Sequence, residues 1–199
     1  MQKINAEDKC ILGGCKRFAV VSTNKSLFEK KIMQFINSYN SPLGKLIMAS
    51  DGESLTGLWF CGQKYCELYL DKEHEEKDLH IFDMTKKWLD MYFSGREPDF
   101  ELPHKFVGSR FQNEVWEILC SIPYGKTVTY GDIAKRIACH RGIDSMFAQA
   151  VGSAVGRNRI SIVVPCHRVI GVDGSMIGYA GGIDRKIELL KIEGVYNQT

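Results

Sequence analysis

The chain has no apolar run approaching the roughly 18 residues of a membrane span. Its opening, Met1-Gln2-Lys3-Ile4-Asn5, does not lead into a signal-peptide core. Seven cysteines make an odd count at unmatched spacings, so reduced thiols are expected in place of a disulfide framework. These absences predict a cytoplasmic protein, or a nuclear one if the cell has a nucleus. A strong charge of either sign is also missing, and a net +2 does not announce a nucleic-acid partner. The charge is unevenly placed, however. Residues 1–105 carry 15 Lys and Arg against 16 Asp and Glu, whereas residues 106–199 carry 11 against 8. That tilt points toward a DNA-facing second half. What is present, 44% hydrophobic and 25% charged residues in a chain of 199, is ordinary globular usage. It excludes a disordered or collagen-like chain and leaves room for one large domain or two small ones.

Residues 1–31 read as an extension with at most one strand, because Ile11-Leu12 and Phe18-Ala19-Val20-Val21 are short apolar islands. From Met33 the pattern sharpens. Phe35-Ile36, Leu46-Ile47-Met48-Ala49 and Leu55-Thr56-Gly57-Leu58-Trp59-Phe60 read as strands, separated by turns at Ser41-Pro42-Leu43-Gly44 and Asp51-Gly52-Glu53. Ile81, Met84, Trp88, Leu89 and Tyr92 follow helical spacing that stops at Ser94-Gly95. The acidic run Glu73 to Asp78 reads as a solvated loop or helix start. Residues 32–104 therefore predict a small α/β domain, closed by a linker around Pro98 and Pro103.

Residues 105–199 read as mostly helical. Ser109-Arg110-Phe111-Gln112 has the form of a capping box before the stripe Phe111, Val115, Ile118 and Leu119. A second helix starts at Thr129 or Tyr130, with Ile133, Ala134 and Ile137 inward. A third follows Gly142, with Phe147, Ala150, Val151 and Ala154 on one face. Two short helices joined by a Gly-containing turn are a helix-turn-helix candidate.

The segment Ser161-Ile162-Val163-Val164-Pro165-Cys166-His167-Arg168-Val169-Ile170 carries the chemistry. Four β-favouring residues run into Pro165, which cannot donate to a ladder, so the chain must change direction at the cysteine. A cysteine in an apolar run is ordinarily a small core residue. A buried inert thiol has no use for a neighbouring imidazole and guanidinium, whereas a nucleophilic thiolate needs a base and positive surroundings. Adjacent residues in a strand face opposite sides, so a bridging water or the bend after Pro165 must connect Cys166 with His167. Glu193, Asp173 and Asp184 are the candidates to orient the imidazole, and spacing does not choose among them.

Pro165-Cys166-His167-Arg168-Val169, with Gly178-Tyr179-Ala180-Gly181-Gly182 behind it, resembles the signature of the O6-alkylguanine-DNA alkyltransferases, also called methylated-DNA–protein-cysteine methyltransferases. The resemblance continues through Ile122-Pro123-Tyr124-Gly125, Thr129 to Ala134, Ala150-Val151-Gly152, Asn158 and Glu193-Gly194. It runs more faintly through Ser41 to Leu46 and Leu55 to Phe60, and does not cover residues 1–31. It implies a ribonuclease-H-like antiparallel sheet with a helix, followed by a helical domain with a winged helix-turn-helix-like core. The implied activity is single-turnover transfer of an alkyl group from a flipped O6-alkylguanine in duplex DNA to Cys166. His167 would be the base acting through water, Glu193 its orienting carboxylate, and Arg168 a structural tie. Tyr130 would contact the phosphate beside the target, and Asn158 would brace the reactive turn. Tyr179 and Gly181 would line the base pocket, and the Val169 carbonyl would accept from the guanine amine. Ala148, Ala150, Gly152 and Ser153 would allow close approach to the minor groove, with Gln149 and Arg157 also facing DNA. No cofactor is implied, and a monomer is expected.

Two positions depart from the family pattern. Many relatives carry arginine where Gln149 stands, and glutamine lacks its charge and planar stacking surface. The family's Asn-Pro is here Asn158-Arg159, which frees the backbone and adds a cation, while Arg141 or Arg157 could compensate for Gln149. Some relatives hold a structural zinc. Cys10, Cys15, Cys61, Cys66, His74, His80 and His104 are the available ligands, but Cys10-x4-Cys15 and Cys61-x4-Cys66 fit zinc spacings poorly, so no metal site is expected. Two other readings compete: a lesion sensor that binds DNA without repairing it, which retention of Cys166 opposes, and a cysteine hydrolase, for which no separate oxyanion donor loop is seen.

Overall fold

The computed structural model describes residues 33–195; the expected strand before residue 32 and Cys10 and Cys15 lie outside them. The first half is a four-stranded sheet in the order β3-β2-β1-β4. Strands β1 (Gln34–Ser41), β2 (Gly44–Ser50) and β3 (Leu55–Phe60) form an antiparallel meander, with Tyr39 opposite Leu46 and Leu46 opposite Phe60. The first turn is closed by Ser41, whose hydroxyl donates to Gly44 O at 2.6 Å. Strand β4 (His74–Glu76) lies parallel to β1 and falls within the acidic run. The charge of that run predicts a loop or helix start, and the structure places a short strand there. All three β4 residues are exposed, so an edge position lets charged side chains stay in water while the backbone pairs.

Helix α1 (Cys66–Tyr69) is a single turn after β3, and α2 (His80–Phe93) lies against the sheet. Ile81, Phe82, Leu89 and Tyr92 are buried on one side of α2, and the helix stops at Ser94 with Gly95 in the left-handed region at φ 79°. In the second half, α3 (Arg110–Cys120) carries the capping box at Ser109 and Gln112 and buries Val115, Trp116, Ile118 and Leu119. Helix α4 (Tyr130–Arg141) follows the two-residue strand β5 (Val128–Thr129). Thr129 and Asp132 form its capping box, and its last residue is followed by Gly142 at φ 63°. Helix α5 (Ala148–Val155) buries Val151, Ala154 and Val155.

Phe147 does not share that buried face. It precedes α5 in an extended conformation and is 82% exposed, because the helix starts one residue later and the ring leaves the stripe. Strand β6 (Val169–Ile170) pairs in parallel with β5, and α6 (Ile183–Ile192) ends the described chain. Residues 161–164 are a turn, not the strand their composition favours. Val163 N donates to Ser161 O, Val164 N donates to Ile160 O, and Ile162 sits at φ 70°. Left-handed backbone is costly for a β-branched residue, so neighbouring bonds must hold it there.

One buried core runs through both halves. It joins Leu46, Phe60, Phe82 and Tyr92 to Val115, Leu119, Ile160, Val164 and Leu189. Backbone bonds cross between them as well: Leu58 N donates to Arg159 O at 2.8 Å, and Ser161 N donates to Leu58 O at 2.7 Å. The turn that leads to Cys166 follows directly from this seam.

Candidate active site

Cys166, His167 and Arg168 occupy one 3-10 turn that starts after Pro165. Cys166 N donates to Val164 O and Arg168 N donates to Pro165 O, so the expected change of direction is achieved by a tight helical turn. Asn158 organises the approach. Its Nδ2 donates to Val164 O at 2.8 Å, and its Oδ1 accepts from Ile160 N at 2.9 Å. The same Nδ2 lies 3.1 Å from Cys166 Sγ, which gives a sulfur anion a donor. The side chain therefore holds both the strained turn and the thiol.

Among the three carboxylates left open by spacing, Glu193 is the one at the imidazole. Its Oε1 lies 2.6 Å from His167 Nε2, and both side chains are fully buried. Asp173 and Asp184 are exposed, on a loop and in the first turn of α6. Glu193 also accepts from Arg168 Nε at 2.8 Å, Arg168 Nη2 at 3.0 Å and Gly125 N at 3.2 Å. Arg168 reaches on to Ile122 O at 2.7 Å, fixing the turn to the end of α3. Burial opposes ionisation of Glu193, but His167 and Arg168 outweigh it and bring the carboxyl down to about 2. Burial is also the main reason that His167 is held below the ordinary imidazole range, against the pull of Glu193. With Nε2 turned to Glu193, the buried Nδ1 of His167 is left without a protein partner among the described residues. It is the basic nitrogen of that tautomer.

Burial pushes the Cys166 thiol up to about 11, opposed by Asn158, by the charge of Lys186 and by backbone donors. Lys186 was not singled out from sequence. It is fully buried and donates to Val169 O at 2.5 Å and Ile177 O at 2.6 Å. Burial lowers its ammonium to about 8, against the pull of the thiolate. The signal was present: Lys186, Leu189 and Leu190 form the buried stripe of α6, and lysine on such a stripe needs a partner. Tyr92 was read only as a core residue. Its hydroxyl donates to Glu193 Oε1 at 2.8 Å and lies 3.3 Å from His167 Nε2, so the first half supplies a group to this cluster. No periodicity reports a contact across 101 residues.

Of the remaining expected residues, Tyr179 and Tyr130 lie close enough to the thiol to feel its charge. Tyr179 is 8% exposed, with its ring 6.4 Å from that of His167. Gly181 sits behind it, where an added Cβ would come 2.6 Å from the Tyr179 ring. Tyr130 Oη donates to Ile177 O at 3.1 Å and Gly178 O at 3.3 Å. Gly178 must be glycine on two counts, its φ of 68° and the 2.5 Å approach of a Cβ to that hydroxyl. Burial first, and the neighbouring thiol second, raise Tyr130 to about 12, so it stays protonated. Gln149, Ser153 and Arg157 are exposed, with Ala150 and Gly152 partly covered on α5. Val169 is buried directly after the turn. Among the described residues no group of three or more His, Cys, Asp or Glu side chains is arranged to hold a metal.

Two family models match, the DNA-binding domain of 6-O-methylguanine DNA methyltransferase over residues 110–195 and its ribonuclease-like domain over residues 35–106. A methylated-DNA–protein-cysteine methyltransferase of Mycobacterium leprae is 41% identical over 156 residues, covering 78% of this chain and 90% of the relative. One from Haemophilus influenzae is 38% identical over 158 residues, covering 79% and 84%. The solved O6-methylguanine methyltransferase of Mycobacterium tuberculosis aligns at TM-score 0.69 and 40% identity, covering 81% of this chain and 93% of that one. A structure of the same enzyme in complex with DNA aligns at 0.68 and 39%, covering 80% and 92%.

Proposed function

The chain belongs to the 6-O-methylguanine DNA methyltransferase family, and on that premise we propose how its residues divide the work. The protein is a DNA repair enzyme that takes the alkyl group of O6-alkylguanine onto a cysteine. Residues 105–199 carry the acceptor and the DNA-facing helices, and residues 32–104 form the α/β domain packed beside them. The observation that carries the reading is the turn at Pro165: a buried thiol held by Asn158, followed at once by an imidazole in a 2.6 Å pair with Glu193.

The target base must leave the stack before sulfur can reach it, and a weakened alkylguanine pair makes that extrusion cheaper. Tyr179 and Gly181 then wall the base, the Val169 carbonyl accepts from its amine, and Tyr130 lies at the adjoining phosphate. Gln149, Ala150, Gly152, Ser153 and Arg157 meet the duplex. A water between Cys166 and His167 takes the thiol proton and passes its own to Nδ1, while Glu193 holds the imidazole and balances its charge. The sulfur electron pair forms the S–C bond as the C–O6 bond breaks. The bonding pair leaves on guanine, to which the Tyr130 hydroxyl passes a proton, and the proton taken up by His167 returns through water to the Tyr130 oxygen, so that the thiol proton ends on guanine and no residue is left charged by the reaction. The product is a thioether with no low-energy route back, so each molecule acts once. Arg168 holds Glu193 and the turn in place.

The free thiols of Cys61, Cys66, Cys120, Cys139 and Cys166 suit a reducing compartment, the cytoplasm or nucleus. Intact-protein mass after incubation with a duplex bearing one O6-methylguanine tests the whole reading. One methylene gained on Cys166, saturating at one per protein and absent in Cys166→Ser, is the expected result. An unchanged mass with the duplex still bound would favour a lesion sensor instead.

A further inference from the structure

The turn between β3 and α1 belongs to the first half, yet it borders the site. Lys64 N donates to Ala180 O at 3.2 Å, docking the turn on the segment that carries Tyr179. Gln63 anchors it from below, its Oε1 accepting from Ser161 Oγ at 3.2 Å and from Phe60 N at 3.3 Å. Together these elements border an open cleft of about 250 Å³. Its walls are Lys64 and Tyr65 from the turn, Ser153 of α5 and Arg157 just after that helix, and Tyr179 with Ala180.

Two cations converge at the rim. Lys64 Nζ lies 4.9 Å and the Arg157 guanidinium 4.4 Å from the centre of the Tyr65 ring. The pattern repeats two residues beyond Arg157, where the Arg159 guanidinium stands 4.8 Å from the Tyr69 ring and the Tyr69 hydroxyl donates to Arg157 O at 3.3 Å. No ion pair among the described residues joins a carboxylate to Lys64, Arg157 or Arg159. Lys64 and Arg157 are exposed, and Tyr65 is held at φ 71°, left-handed for a bulky aromatic residue. Gathering like charges on one ring without an anion is unfavourable by itself. Strain of this kind persists where the surroundings over-determine it, commonly at a ligand site. Both features point to an anion at the rim.

We propose that the Gln63–Tyr65 turn is a second DNA-contact element, in which Lys64 and Arg157, steadied on the Tyr65 ring, take a backbone phosphate of the strand that enters the Tyr179 pocket. The proposal rests on the repair reading and adds to it a contact from the first half of the chain. It supplies positive charge from the first half of the chain, where Gln149 of α5 carries none.

The test is binding of an O6-methylguanine duplex to the full chain across a salt series, alongside alkylation by free O6-benzylguanine, which has no phosphate. Lys64→Ala should flatten the slope of log K against log salt by about 0.9, the value of one phosphate contact. Its affinity deficit should therefore shrink about threefold between 50 and 200 mM salt. Its reaction with the free base should match wild type. Tyr65→Phe should keep wild-type binding, and Tyr65→Ala should lose several-fold. An unchanged salt slope in Lys64→Ala would overturn the proposal even though wild type repairs the duplex. Equal slowing of the free-base reaction would overturn it too, since the turn would then be only a support for the Tyr179 wall. Failure of the repair reading looks different: wild type would transfer nothing from either substrate.

Discussion

Single side chains decide whether this thiol is inert or reactive. Burial raises Cys166 to about 11, a protonated core cysteine, even though one amide, one buried ammonium and backbone donors work against it. Lys186 is the group whose charge can be removed without touching the nucleophile or the imidazole. Lys186→Met should raise the thiol further; each unit of that rise lowers the thiolate fraction at neutral pH about tenfold. Because burial sets the Lys186 ammonium at about 8, wild type keeps this charge at pH 7 and loses it above that point. Rates of Cys166 alkylation measured from pH 6 to 9 should thus separate the two proteins most at the acid end and bring them together above pH 8. A uniform offset across the range would mean that Lys186 acts by holding the Val169 and Ile177 carbonyls and not by charge. The acceptor, imidazole and guanidinium were legible from sequence because they are adjacent, Pro165-Cys166-His167-Arg168. Lys186 and Tyr92 were not, since each reaches the cluster from a different helix whose pattern reports only burial.

Elements were read well wherever turn or cap chemistry marked their ends. The capping box at Ser109 and the glycines at 95 and 142 bound α2, α3 and α4 as expected, and the helix start read at Thr129 or Tyr130 is fixed by a second capping box at Thr129. Two places failed for physical reasons. Residues 161–164 are β-favouring, but Asn158 takes their backbone groups into a turn and long-range bonds from Leu58 complete it, so tertiary contacts override propensity. At α5 the apolar period included Phe147, although a helix that starts at Ala148 throws the preceding residue off its face. Phe147 is a poor cap as well: its side chain offers no acceptor to the first turn of α5. Phe147→Ser should stabilise the fold by about 0.5–1 kcal/mol, since a serine acceptor would satisfy one N–H of α5 and an 82% exposed ring gives up little burial. Urea unfolding should show a higher midpoint at unchanged slope. A lower midpoint would mean that the ring packs in solution as the sequence pattern first implied.

At the scale of the whole molecule, the sequence announced a change of character near residue 104, from alternating strands to helical stripes. It did not announce that one core and one buried polar cluster would bridge the change. The cluster joins Tyr92 of α2 to His167, Arg168 and Glu193, so its protonation should be felt by both halves at once. The sign follows from the depressed groups. Glu193 sits at about 2 in the fold against 4.5 for a free carboxyl, so its contribution to stability is complete above about 4.5 and is lost as pH falls toward 2. That shift corresponds to about 3 kcal/mol, as an order of magnitude. His167, also depressed, begins to weigh the same way once pH drops below the ordinary imidazole value of 6.5. Acid unfolding should accordingly be one cooperative event. Fluorescence of Trp59 and Trp88 in the first half and of Trp116 in the second, read in single-tryptophan variants, should give coincident midpoints. Glu193→Gln should be less stable at pH 7, because Arg168 would lose a buried counter-charge. Its stability should also fall less steeply between pH 4.5 and 2. If Trp116 reported unfolding at a higher pH than Trp59 and Trp88, Tyr92 would not couple the halves, and the hydrogen bond from α2 to Glu193 would be a passive contact between independent domains.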